Sequence, residues 1–252
     1  MYMEWYMYFA VVGIGLLAGF VNTLAGGGSA LSVPMLIFLG LPANVANGTN
    51  RIAILLQNAV GTASFAKERV LDLKVGLRLG LISVIGAILG AAIAVNLNEF
   101  IMRRTIGVVL ILILILVVFK PDFWIKSRVG GHKGRHQFLS YTVFFLAGIY
   151  GGFIQIGTGF FLLTGLVLFE GLNLVKANAI KVFIILLYTP LALLVFILND
   201  QVDYKLGLVL AIGNMAGAWI GSKVAVKRGP KFIRWVLIVA LAGSSIKLFG
   251  II

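Results

Sequence analysis

AGGGSALSVPMLIFLG, residues 25–40, and GTGFFLLTGLVLFE, residues 157–170, are the two stretches that decide the fold. In each, a glycine cluster opens an apolar run that is too short to cross a bilayer. Runs 29–40 and 159–170 reach only about 18 Å as helices at 1.5 Å per residue, against roughly 30 Å of hydrocarbon. Around them lie eight long apolar runs, at 5–25, 44–66, 74–95, 101–119, 138–157, 176–198, 205–223 and 232–250. The first has neither a basic leading region nor a small-residue cleavage site, and reads as a retained span.

Composition agrees. The chain has 252 residues, 61% hydrophobic and only 12% charged, where a soluble domain carries about a quarter of its residues charged. This predicts an all-α integral membrane protein. The 21 Lys and Arg exceed the 8 Asp and Glu by 13, an excess read as setting orientation in the lipid bilayer, with no nucleic-acid partner. No cysteine is present and the two histidines, His132 and His136, sit in a basic loop. Thiolate or imidazole chemistry at membrane depth is therefore not expected, and no metal or cofactor is called for.

One offset, 131 residues, aligns the chain with itself from the glycine clusters onward. It pairs Gly26 with Gly157, Gly28 with Gly159, Asn47 with Asn178, Asp72 with Asp203, Lys74 with Lys205, Gly86 with Gly217 and Arg103 with Arg234. Matched Asn, Asp and Lys in one register identify a duplication. Residues 1–119 form the first repeat, 120–137 a basic cytoplasmic connector and 138–252 the second repeat. Loop charge sets the orientation. Leaving out Arg51, Arg78, Lys181 and Lys247 within the spans, the basic residues divide nine to eight if the short runs do not cross and fourteen to three if they do. The second division predicts ten segments, five per repeat. The repeats are inverted about an axis in the membrane plane, both termini face outside, and each repeat has a short helix starting near the midplane. The bland alternative is a pair of re-entrant loops.

Broken helices inside inverted repeats line substrate sites in secondary transporters. Helix starts expose N–H groups and partial positive charge, which suits an anion. The first break is Gly26-Gly27-Gly28-Ser29 and the second Gly157-Thr158-Gly159. After the short helices come Asn47, Asn50 and Arg51 in one repeat and Asn178 and Lys181 in the other, with Gln57, Asn58 and Thr62 farther along. Arg51 and Lys181 could snorkel to the interface. Yet Glu68, Asp72, Glu99, Glu170 and Asp203 all fall at segment ends or in loops, so the interior cations have no acid to match them. That points to a small anionic substrate held by Gly26, Gly27, Gly28, Ser29, Asn47, Asn50, Arg51, Gly157, Thr158, Gly159, Asn178 and Lys181. Asn22 and Gln155 border the breaks as further donors or as local caps. Gly86, Gly90, Gly217 and Gly221 read as helix-packing positions. Trp5, Tyr6, Tyr8, Trp124 and Trp235 read as interfacial anchors.

Two other classes make different demands. An intramembrane enzyme needs a histidine or carboxylate beside a nucleophile or metal. The Ser245 and Lys247 pair, two apart on a helix, does not face inward together. A metal-cation permease predicts acidic, Met-rich or His-lined spans, whereas the six Met do not cluster at the breaks.

The same residues carry a resemblance. Gly19-Phe20, the Ala25 to Ser29 break, Val33-Pro34 and the run Gly40-Leu41-Pro42-Ala43-Asn44-Val45-Ala46-Asn47-Gly48-Thr49-Asn50 resemble the signature of the sulfite exporter TauE/SafE family of membrane permeases. Residues 148–181 resemble its more divergent second half, with Gly157-Thr158-Gly159 in place of a fuller glycine cluster. The resemblance implies a multi-pass transporter of the plasma (inner) membrane. It would move sulfur-containing anions such as sulfite or organosulfonates, usually outward. The broken helices in inverted repeats predict a secondary transporter working by alternating access, and the expected partners are the small anion, the lipid bilayer and a second copy of the chain in a homo-oligomer.

Overall fold

The computed structural model describes residues 4–119 and 137–248, and these are helical throughout apart from short turns. The helices are α1 Trp5–Leu24, α2 Ser29–Phe38, α3 Ala43–Lys67, α4 Leu73–Val95, α5 Glu99–Phe119, α6 Gln137–Phe153, α7 Thr158–Leu168, α8 Leu174–Ile197 and α9 Tyr204–Leu248. The connector 120–137, with His132, His136 and Trp124, lies outside the described residues except for Gln137, which opens α6, and the side chain of Trp235 lies outside them as well.

Helix boundaries follow local chemistry. Asp72 and Asp203, matched by the duplication, play the same part, since their carboxylates accept from the amides of Val75 at 3.1 Å and Leu206 at 2.9 Å, capping α4 and α9. Asn173 caps α8 in the same way, accepting from Val175 and Lys176. Gly40 and Gly171 take φ of 93° and 65° after the short helices, a conformation that costs residues with a Cβ.

Two boundaries differ from expectation. Apolar length predicts separate spans over 205–223 and 232–250, but helix continues through α9 and breaks only at Gly229 (φ 70°, ψ −168°). Pro230 follows that glycine, and the residue before a proline is disfavoured in the α region. Helix α6 stops at Phe153, four residues before the expected 157. Ile154-Gln155-Ile156 carries no breaker, and the last carbonyls of α6 bond to side chains from another helix.

The helices pack as two exchanged sets. α1 packs on α9 as α6 packs on α4, α3 packs on α9 as α8 packs on α4, and α2 rests on α3 as α7 rests on α8, with α3 and α8 in contact between the sets. Close approach requires glycine here. A Cβ on Gly86, Gly90 or Gly217 would lie 2.3 Å or less from a backbone carbonyl of the facing helix: Phe145, Ile149 and Leu16 respectively. Gly19 lies against the backbone of Asn214, and Gly148 against that of Ser83. Ser83 and Asn214 differ by the 131-residue offset, whereas Gly19 and Gly148 differ by 129, so the breaks absorb a two-residue shift. Outward, Leu77, Leu81, Ile85 and Leu89 of α4 are exposed, as are Leu208, Ile212 and Trp219 of α9, an apolar surface suited to lipid. Four helices, α1, α4, α8 and the Tyr204–Gly229 part of α9, are long and apolar enough to cross a membrane. Trp5 and Tyr6 are exposed at one end of α1.

Candidate functional site

The two breaks meet. A Cβ on Gly26 would fall 2.4 Å from the Cα of Gly159, and one on Gly159 would fall 2.3 Å from the Cα of Gly26. Gly26 (φ 86°) and Gly157 (φ 76°) turn the chain there in the left-handed region, which glycine enters without strain. Gly27 lies under the ring of Phe160, and Gly28 is pressed to the carbonyl of Ala18. The starts of α2 and α7 therefore share one buried centre.

The last four carbonyls of an α-helix have no partner within it, and that end carries partial negative charge. At both breaks these carbonyls are taken by side chains of another helix, α8 for the end of α1 and α3 for the end of α6. Lys181 donates to the carbonyls of Asn22 and Thr23 at 3.0 Å each and to Asn178 Oδ1 at 2.7 Å. Asn178 Nδ2 donates to the carbonyl of Leu24 at 3.0 Å. In the opposite direction, Arg51 Nη1 and Nη2 donate to the carbonyls of Gly151 and Gly152 at 3.1 and 2.6 Å, and Asn47 Nδ2 donates to that of Phe153 at 2.9 Å. Arg51 also lies over the ring of Phe196, 4.6 Å from its centroid. Each broken helix thus ends in three consecutive carbonyls held by one asparagine and one cation.

Arg51 and Lys181 are both 0% exposed, so neither snorkels. Among the described residues no carboxylate reaches them; the ion pairs are Arg78 with Glu170 and Arg103 with Glu99. Carbonyl dipoles orient the two cations without cancelling their charge. One charged donor, Arg51 Nε, is buried with no partner.

All twelve residues proposed from sequence gather around this centre, but in different employment. Asn50 turns to the first turn of α2, donating to Ser29 Oγ at 3.4 Å and accepting from Ser32 Oγ at 2.7 Å. Thr158 Oγ folds back onto the carbonyls of Ile154 and Gln155. The first amide of α2, on Ser29, goes to Asn22 Oδ1 at 3.3 Å. Gln57 Oε1 accepts from Asn22 at 3.2 Å and from Asn214 at 3.1 Å, so α1, α3 and α9 are joined by amides at the first break. At the second, Gln155 Nε2 donates to the hydroxyl of Tyr188 at 3.1 Å.

Asn214 and Tyr188 escape a reading of the sequence alone. Asn214 stands in a helix whose glycines read as packing, and Tyr188 stands in a continuous apolar run. The offset could have found both: Tyr188 is the counterpart of Gln57 and Asn214 that of Ser83.

Residues 11–248 match the family model described as sulfite exporter TauE/SafE. A probable membrane transporter protein, ORF9, of Sinorhizobium sp. is 30% identical over 93% of this chain and 89% of its own length. The probable membrane transporter protein YfcA of Escherichia coli K12 is 28% identical over 93% of this chain and 87% of its own. One from Haemophilus influenzae is 26% identical over 90% and 88%. No solved structure matches.

Proposed function

The chain belongs to the sulfite exporter TauE/SafE family and is a membrane transporter, and from that premise we propose that it exports sulfur-containing anions, such as sulfite or organosulfonates, across the plasma membrane. The observation that carries the choice of an anion is the meeting of two helix starts at Gly26 and Gly159 beside two buried cations with no acid among the described residues. Burying an unpaired charge is costly. An anion within 4 Å of such a cation recovers about 4 kcal/mol at an effective dielectric of 20, and the partial positive charge of the two helix starts adds to it.

Gly26 to Ser29 and Gly157 to Gly159 form the cradle, Asn47, Asn50 and Asn178 its walls, and Arg51 and Lys181 its charge. Arg51 Nε, buried with no partner, is a side-chain donor free to meet the anion directly. The exchange of packing partners between the two sets, together with the fourteen-to-three division of basic residues, supports inverted repeats with both termini outside. Rocking of one set against the other gives alternating access.

The test is flux from proteoliposomes for sulfite, thiosulfate, sulfoacetate, sulfate and a divalent cation, with Arg51→Ala and Lys181→Ala alongside. At least one sulfur anion moves, and each variant slows it tenfold or more. Movement of the divalent cation and of no anion overturns the reading. Unaltered anion flux in both variants removes the site while leaving the family membership in place.

A further inference from the structure

The hydrogen bonds that Arg51 and Lys181 make to helix-end carbonyls do more than neutralise those ends: every one bridges the two repeats. Lys181 and Asn178 belong to α8 in the second repeat and hold α1 of the first, while Arg51 and Asn47 belong to α3 in the first repeat and hold α6 of the second. The arrangement is reciprocal although the cations are not equivalent by sequence. Asn47 and Asn178 correspond under the 131-residue offset, but Lys181 corresponds to Asn50 and Arg51 to Val182. A lysine one position earlier and an arginine one position later arrive at the same three-carbonyl target, residues 22–24 in one repeat and 151–153 in the other. Duplication alone would have carried the same residue to both places.

We infer that Arg51 and Lys181 are positioning residues of a reciprocal clasp, each fixing the carbonyl end of the other repeat's broken helix, so that neither break reshapes unless the opposite repeat releases it. This rests on the transport reading for its purpose. A site with two half-cradles must keep both in register while the repeats move, and a clasp made across the repeat boundary couples them through bonds to helix-end carbonyls, which on Arg51 use Nη1 and Nη2 and leave Nε to the anion. The chemistry of the two side chains suits that role. Three donors of an ammonium satisfy two carbonyls and one amide oxygen, and the two terminal nitrogens of a guanidinium take adjacent carbonyls in a fixed fork. Losing either leaves buried carbonyls without partners, and the helix end frays into its break.

The test is hydrogen exchange by mass spectrometry on the full chain in detergent, without any anion, comparing peptides over 21–28 and 150–157. Lys181→Met speeds exchange in 21–28 by roughly tenfold or more and leaves 150–157 unchanged. Arg51→Gln does the reverse. Asn178→Ala and Asn47→Ala, which each remove one carbonyl bond, give the same crossed pattern in weaker form and serve if the cation variants do not fold. Lys181→Arg restores protection at 21–28, and Arg78→Gln, which removes an exposed cation, moves neither peptide. Equal increases at both breaks, an increase confined to the mutated residue's own repeat, or no increase in any variant overturns the clasp. Since no anion is present, this outcome is independent of the flux panel: the clasp can fail while sulfite moves, or stand when it does not.

Discussion

Gly159→Ala isolates the contact on which the site depends. Residue 159 lies in α7 with no left-handed requirement, so the methyl tests space alone, and its Cβ would stand 2.3 Å from the Cα of Gly26, a backbone atom that no rotamer change can withdraw. Carbon atoms prefer about 3.5 Å or more, so the two breaks must part by roughly 1 Å. Overpacking of this kind costs about 1–3 kcal/mol. Three glycines calibrate it. Gly13→Ala meets nothing within 4 Å and gains helix propensity, about 0.8–1 kcal/mol. Gly171→Ala also meets nothing but has φ of 65°, so only the left-handed cost of about 1–2 kcal/mol applies. Gly27→Ala meets only the Phe160 ring, at 2.7 Å, a side-chain contact and not a backbone one. Thermal unfolding in one detergent should rank melting temperatures Gly13→Ala highest, then Gly27→Ala, then Gly159→Ala. Flux of the transported anion should fall at least tenfold in Gly159→Ala and stay within twofold of wild type in Gly13→Ala. A Gly159→Ala protein that melts and transports like Gly13→Ala would refute the meeting of the breaks.

Three further outcomes follow from the same contacts. Ser222 donates to Ser64 at 2.6 Å between α9 and α3, and a double-mutant cycle with alanine at both should return a coupling of about 1 kcal/mol; zero coupling would mean the helices do not meet there. Thr49→Val removes the acceptor of the Asp203 amide at 2.8 Å and should lower stability by about 1 kcal/mol in chemical denaturation, whereas Thr62→Val, whose hydroxyl has no partner, should not lower it. Arg78→Gln removes the cation, itself 42% exposed, of a bridge to Glu170, so the melting temperature should change little, in line with the ~0–1 kcal/mol of a solvent-screened pair; a large fall would show that the end of α7 depends on that bridge.

Much of the fold is written locally. Glycine clusters at 26–28 and 157–159 mark the breaks, Asp72 and Asp203 mark helix starts, and apolar length marks the spans; each is a property of a few neighbouring residues. Ten of the twelve candidate residues fall in five pairs under the offset, while Ser29 and Arg51, whose counterparts are Phe160 and Val182, do not follow from the duplication. What side chains reach does not follow. Sequence shows Arg51 and Lys181 as interior cations without acids, and from that an anion is the natural partner to expect. It does not show that helices α1 and α6 end within their grasp, because those ends lie about 100 residues or more away in sequence from the side chains that meet them. The two-residue shift before the breaks is faint in the sequence, since Gly19 and Gly148 pair at 129 but Gly13, Gly15, Gly151 and Gly152 meet no glycine at either offset. Asn214 is missed because four-residue glycine spacing explains its helix without it.

The most direct measurement is the position of an anion that can be located by its own scattering. Selenite has the shape and charge of sulfite, and its selenium gives an anomalous signal in crystals of the full chain. Selenium is expected between the starts of α2 and α7, within contact distance of Arg51 and the Gly26 and Gly159 backbones. Selenium found only against exposed lysines, with those two glycines still closed on each other, would contradict a site at the meeting of the breaks.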